Sequence, residues 1–404
     1  MTAAARQRPK SNGNLPTVYV PATLTAPALD RGLASVSPES KHLLFDLGDI
    51  RFADPTTLLY LTAVLSSLSR RGTSISIELP RSKRVRDLMR RYRFGQALQR
   101  LVESPALELL TESSATYTTE PALHYLGRPR IAGDARAEER AQQRLAAISV
   151  TPRPTPDAAV TGMREWMDDD VAALLKQHLG DSADLIGPGI VFEALANAVE
   201  HPQASNLVTN GFFDERARKG KGLLTIAVWD DGESIVSTLR TALRKKRKLR
   251  SPRAKIALEP YNAWYAIFEG ESPAASKTLK KKVFSDDFTP TEDSPDPDLL
   301  FAAALPGVTC DPARKFSVAA TKLKKPNFDR PGMGLYILTS LAIDSFVGGE
   351  VLLRTGAVSA NFRRAPLKVQ KYEQCHYRVG IVHQPKMSQY LSGNLLVVRL
   401  PLNY

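Results

Sequence analysis

Three short blocks, each next to an apolar segment and always in one order, constrain the second half of the chain most tightly. The first is Glu193-Ala-Leu-Ala-Asn197-Ala198, followed by Glu200 and His201. Its four-residue spacing puts Glu193 and Asn197 on one face of a helix, one turn apart. A carboxylate and a carboxamide so placed can hold a hydrated Mg²⁺ and orient a water, because Mg²⁺ takes oxygen ligands and keeps part of its hydration. The second block, Val228-Trp229-Asp230-Asp231-Gly232-Glu233-Ser234-Ile235, follows the apolar run GLLTIA. A carboxylate at a strand end can accept from an exocyclic amine, and the adjacent glycine lets backbone approach a flat ring. The third, Arg330-Pro331-Gly332-Met333-Gly334-Leu335-Tyr336-Ile337, puts two glycines at a helix start, where backbone N–H groups and the helix dipole favour an anion.

Each block alone has a bland counterpart: a solvated helix face, an Asp-Gly turn, a glycine-rich turn before a buried helix. Helix, strand and loop in this order resemble the nucleotide site of the GHKL superfamily, the histidine-kinase, gyrase, heat-shock and mismatch-repair ATPases. FEALANAVEH is similar to its N-box, AVWDDGESI to its first glycine box and RPGMGLYIL to its second. The resemblance implies a two-layer α/β sandwich, the Bergerat ATP-binding fold, with ATP and Mg²⁺ as cofactors. It implies that Asp230 binds the adenine amine, Gly232 shapes the adenine pocket, and Asn197 ligates Mg²⁺. Gly332, Gly334 and Leu335 would line the phosphate loop, and Glu193 would be the catalytic residue that activates or positions water. Two departures stand out. Ser234 occupies the place of the second glycine of the D-x-G-x-G block, and Gly393-Asn394 that of a threonine near the adenine.

The first half reads differently. Residues 17–25 and 42–50 and the SISIEL segment at 74–79 are β-favouring and bounded by turn formers. APALDRGLASV fits a short helix between the first two. Asp54-Pro55-Thr56 is a helix entry, Leu58, Leu61, Val64 and Leu65 give the stripe, and Gly72 ends it. SKRVRDLMRRYRF starts a further helix. Strands alternating with helices predict an α/β unit. LLFDLGDIRFADPTTLLYL resembles a STAS domain, the anti-sigma-antagonist fold, with Asp54-Pro55-Thr56-Thr57 where that family carries a phosphorylated serine. Helix capping is the favoured role for these residues here, and the unit is expected to be a non-phosphorylated interaction module.

The expected organisation is a disordered tail at 1–16, a STAS-like domain at 17–115, and a helical connector and linker at 116–157. The ATP-binding domain would span 158–404, with a lid insertion over about 236–329. The connector holds the helical pattern AEERAQQRLAAI and the proline-rich TPRPTPD. REWMDDDVAALLKQHL opens the second domain as a helix.

The formal net charge of +13 favours polyanionic partners but says nothing about fold. Nine basic residues and no acid lie between Arg240 and Lys255, and SDDFTPTEDSPDPD follows at 285–298. The segment Arg244–Arg250 could contact nucleic acid, reach the nucleotide's phosphates, or pair with that acidic stretch. Two cysteines are too few for a disulfide framework, and no run is long enough to span a membrane. A cytoplasmic location is expected. The six histidines form no zinc-hydrolase pattern, and no Walker-type loop occurs.

The functional expectation is Mg²⁺-dependent ATP binding and slow hydrolysis, coupling lid closure to a protein partner or self-association. An anti-sigma-type serine/threonine kinase acting on a STAS partner is the alternative. A non-catalytic nucleotide-dependent scaffold is the third reading.

Overall fold

This computed structural model describes residues 15–102, 107–110, 148–152, 190, 193–200, 204–218, 221–245, 264–269, 281–283, 290–304, 334–343, 347–364, 377–383, 387 and 389–403. The architecture is mixed α/β; among the described residues it has a four-stranded parallel sheet, a nine-stranded, largely antiparallel sheet and a two-stranded parallel pair.

The N-terminal unit is built on β1 (Thr17–Tyr19), β3 (His42–Asp46), β5 (Ser74–Glu78) and β6 (Leu107–Leu110), parallel and adjacent in that order. Two short strands, β2 (Thr23–Leu24) and β4 (Phe52–Ala53), pair in parallel beside it. Between strands run α1 (Ala26–Ala34) and α2 (Pro55–Arg70), and α3 (Lys83–Arg91) and α4 (Phe94–Leu101) follow β5. The entry to α2 has the expected chemistry. Asp54 is the N-cap, its carboxylate accepting from the Thr57 amide at 2.9 Å and from the Thr57 hydroxyl, with Pro55 at the first helical position. At its other end Gly72 takes the left-handed conformation (φ 80°) that releases the chain into β5.

Among the described residues the second sheet has nine strands. In chain order they are β7 (Ser149–Pro152), β8 (Asn206–Arg218), β9 (Lys221–Asp230), β10 (Trp264–Glu269), β11 (Lys281–Val283), β12 (Glu350–Thr355), β13 (Val358–Arg364), β14 (Tyr377–His383) and β15 (Asn394–Asn403). In space the order is β11-β10-β14-β13-β12-β15-β9-β8-β7, antiparallel throughout except for the parallel β10–β14 pair. Among the described residues four helices accompany it: α5 (Glu193–Glu200), α6 (Ile235–Arg244), α7 (Asp296–Ala303) and α8 (Gly334–Ile343).

Alternation along the central strands gives this sheet two buried faces. Leu224, Ile226 and Val228 of β9, with Leu396, Val398 and Leu400 of β15, join the core shared with residues of α5, α6, α7 and α8. Ala227, Trp229, Leu395 and Val397 point the other way, into a core continuous with the N-terminal unit. Strands covered on both sides read as uninterrupted apolar runs, as LLVV in β15 does. Helix α2 lies between the two sheets, which explains why every residue from Thr57 to Leu68 is buried. A helix apolar all round belongs in an interior. Two of its polar members bond back within the helix: Thr62 donates to the Leu58 carbonyl at 2.8 Å and Ser67 to that of Ala63 at 2.7 Å.

Three expectations change. The sandwich has a further layer, because the N-terminal unit covers the sheet face that a two-layer fold leaves open. Thr151 and Pro152, expected in the linker, end strand β7, which pairs with β8 at the sheet edge. The stretch 236–329 is more than a lid. Val236, Leu239 and Leu299–Ala302 are core residues, and β10 and β11 extend the sheet itself. The helical patterns at 137–147 and 164–179 and most of the basic run lie outside the described residues. Among the described residues no helix is long and apolar enough to cross a membrane.

Candidate functional site

A polar row crosses three neighbouring strands of an otherwise apolar face. Thr355 of β12 is in register with Asn394 of β15, and Asn394 with Asp230 of β9. All three are buried, and they share the sheet face of Leu353, Leu396 and Val228.

The row is bonded along its length. The Asn394 amide nitrogen donates to both Asp230 carboxylate oxygens at 3.1 Å, and the Thr355 hydroxyl donates to the Asn394 carbonyl oxygen at 2.6 Å. The Ile235 amide at the start of α6 donates to Thr355 and to Asn394, both at 2.9 Å. The Gly232 amide donates back to Asp230 at 3.1 Å. Burial pushes the Asp230 carboxyl up to about 8, against the pull of the Asn394 and Gly232 hydrogen bonds, and the neighbouring Asp231 charge pushes the same way.

The turn after β9 shows why Ser234 serves where a glycine is expected. Its φ of −66° is open to any residue, and its hydroxyl caps α6 by accepting from the Ser237 amide at 3.1 Å. Gly393 has no such latitude. Its φ is 76°, and a Cβ there would lie 1.8 Å from the Asp230 carbonyl oxygen.

The first block falls on α5 as its spacing predicts. Glu193 opens the helix and is buried, and Asn197 follows one turn later, half-buried. The Asn197 side-chain nitrogen is buried without a hydrogen-bond partner. Helix α5 packs against β9 and against α8, so the first two blocks and the helix of the third adjoin on one face of the sheet. Gly334 is the first residue of α8, and Leu335 packs against the core. Gly332 lies outside the described residues.

Thr355 is not legible in the sequence as a site residue, because its place depends on strand register. The sequence marks Asn394 by position but not its grip on Asp230. Asp231 carries no signal beyond its turn, yet it anchors the start of β8. It accepts from the Ser205 and Asn206 amides at 2.6 and 2.9 Å and from the Asn206 side chain at 2.7 Å. The basic run shows one of its expected pairings. Arg240 meets Asp296 at 2.7 Å and Arg244 meets Glu292 at 3.6 Å. Among the described residues no group of three or more His, Cys, Asp or Glu side chains could hold a metal ion. Comparison of the chain with protein-family models, curated proteins and solved structures finds no match.

Proposed function

We propose that the chain binds ATP with Mg²⁺ on the helical face of the nine-stranded sheet and hydrolyses it slowly. The observation that carries this reading is the buried Asp230, which faces the layer formed by the two helices bearing the other motif blocks. A buried carboxyl tied to its neighbours by hydrogen bonds is the kind of group that selects a ligand by its amine and ring edge. The unpartnered Asn197 nitrogen is a second support, since a phosphate oxygen would satisfy it.

The donor set fits Mg²⁺ as well as it fits phosphate. Asn197 offers a hard carbonyl oxygen, and the ion would complete its shell with water and the nucleotide's own oxygens. When bound, the ion would neutralise phosphate charge. Glu193, one turn from Asn197, would orient the water, and the N-terminus of α8 would face the phosphates with its amides.

Titration calorimetry with Mg-ATP, paired with a phosphate-release assay, tests this reading. Asp230→Ala abolishes binding. Glu193→Gln retains affinity and lowers turnover by about 10²-fold or more. Wild-type affinity in Asp230→Ala ends the adenine assignment. With labelled ATP, free phosphate supports the ATPase, whereas label on a STAS-type protein supports the kinase alternative. The N-terminal unit is a poor substrate in cis, because α2, which carries the half-buried Thr56, lies against the opposite sheet face from Asp230.

A further inference from the structure

Each member of the polar row has a close chain neighbour that is bonded to the N-terminal unit. Beside Thr355, Arg354 makes a two-pronged ion pair with Asp30 of α1, at 2.8 and 2.7 Å, and lies 4.6 Å from the Tyr60 ring centre of α2. Beside Asp230, Asp231 is paired with Arg70 in the last turn of α2. Two residues before Asn394, Ser392 meets the Ser67 hydroxyl at 2.9 Å, and its amide donates to that hydroxyl at 3.0 Å. The Ser392 carbonyl in turn accepts from the Trp229 indole at 2.9 Å.

We infer that Arg70 and Ser67, at the C-terminal end of α2, are positioning residues for the polar row, acting through Asp231 and Ser392. The inference rests on the reading of that row as the floor of a nucleotide site. The physical basis is the stiffness of adjoining peptide units. Asp230 and Asp231 share one planar peptide, so a shift of the anchored carboxylate tilts its neighbour across the sheet. Gly393 transmits motion in the same way, since its close approach to the Asp230 carbonyl leaves no slack. A site that must hold its groups to within about half an ångström depends on what stands behind them. Linkage makes the dependence reciprocal, so bound nucleotide tightens the attachment of α2.

Arg70→Met tests this in the full-length chain. The substitution keeps an apolar stem and removes the charge, while Asp231 keeps its three donors from Ser205 and Asn206. Mg-ATP affinity is expected to fall about five-fold or more, and Arg70→Lys to recover most of it. Asn210→Ala is the control. Asn210 donates to the Pro55 carbonyl at 2.7 Å at the opposite end of α2, about 10 Å along the strand from the row. It should lower thermal stability without weakening nucleotide binding.

Amide hydrogen exchange without nucleotide supplies the second readout. Arg70→Met should speed exchange at Asp231, Gly232 and Ile235, and Asn210→Ala should not. Unchanged exchange at these amides overturns the inference, as does equal loss of affinity in both variants. Faster exchange in a protein whose wild type binds no ATP would remove the nucleotide reading and leave the positioning role standing.

Discussion

Replacing Asp230 with asparagine should change how stability depends on pH. In the folded chain the Asp230 carboxyl is raised from 3.8 to about 8. Between those values the folded state keeps a proton that the unfolded chain has released. The sign follows: this group's contribution is fully present below about pH 4 and is lost as pH rises through about 8. The slope for one proton is about 1.4 kcal/mol per pH unit, so wild type should lose about 2.7 kcal/mol between about pH 5 and pH 7 from this group. Asp230→Asn has nothing to titrate there. Urea unfolding at about pH 5, 6 and 7, followed by circular dichroism and tryptophan fluorescence, gives both stabilities. Subtracting one from the other at each pH cancels the other titrating groups. The variant should gain about 2 to 3 kcal/mol on wild type across that range. A difference that stays constant within about 0.5 kcal/mol would refute the reasoning, since the carboxyl would then be hydrated or fully compensated where it lies.

Further substitutions probe the join between the units and the loop behind the row. Asp30→Ala leaves the Arg354 charge buried without its carboxylate and should cost about 3–5 kcal/mol in urea unfolding, whereas the double change Asp30→Leu with Arg354→Met should recover most of that. Gly393→Ala should cost more stability than the roughly 1–2 kcal/mol of left-handed strain alone, because the added Cβ meets the Asp230 carbonyl; an unchanged melting temperature would contradict that geometry.

Elements with both a pattern and punctuation are legible in the sequence. Helix α2 is bracketed by Asp54-Pro55 and Gly72, and β9 by its apolar run and the Asp-Asp-Gly turn. Strand β8 is not, because NLVTNGFFDERAR mixes apolar residues with Asn210, Gly211 and charges, and its identity comes from pairing with β7 and β9. Strands β10 and β11 are hidden inside a stretch that reads as a lid, where the high charge outweighs the short apolar run WYAIFE. The carboxylate of the site can be picked out because it ends a strand beside a glycine. Thr355 cannot, since only register brings it to Asn394. The burial of β15 on both faces is written in LLVV, but which unit covers the second face depends on contacts between distant segments.

Strand β15 follows every other described strand in sequence yet sits between β12 and β9 in space. During synthesis the sheet therefore stays split, its middle gap lined by unpaired backbone and bare apolar side chains, until residues 394–403 have emerged. A ribosome that stalls or stops before that point releases two half-sheets with sticky edges, the sort of species that chaperones hold and proteases clear.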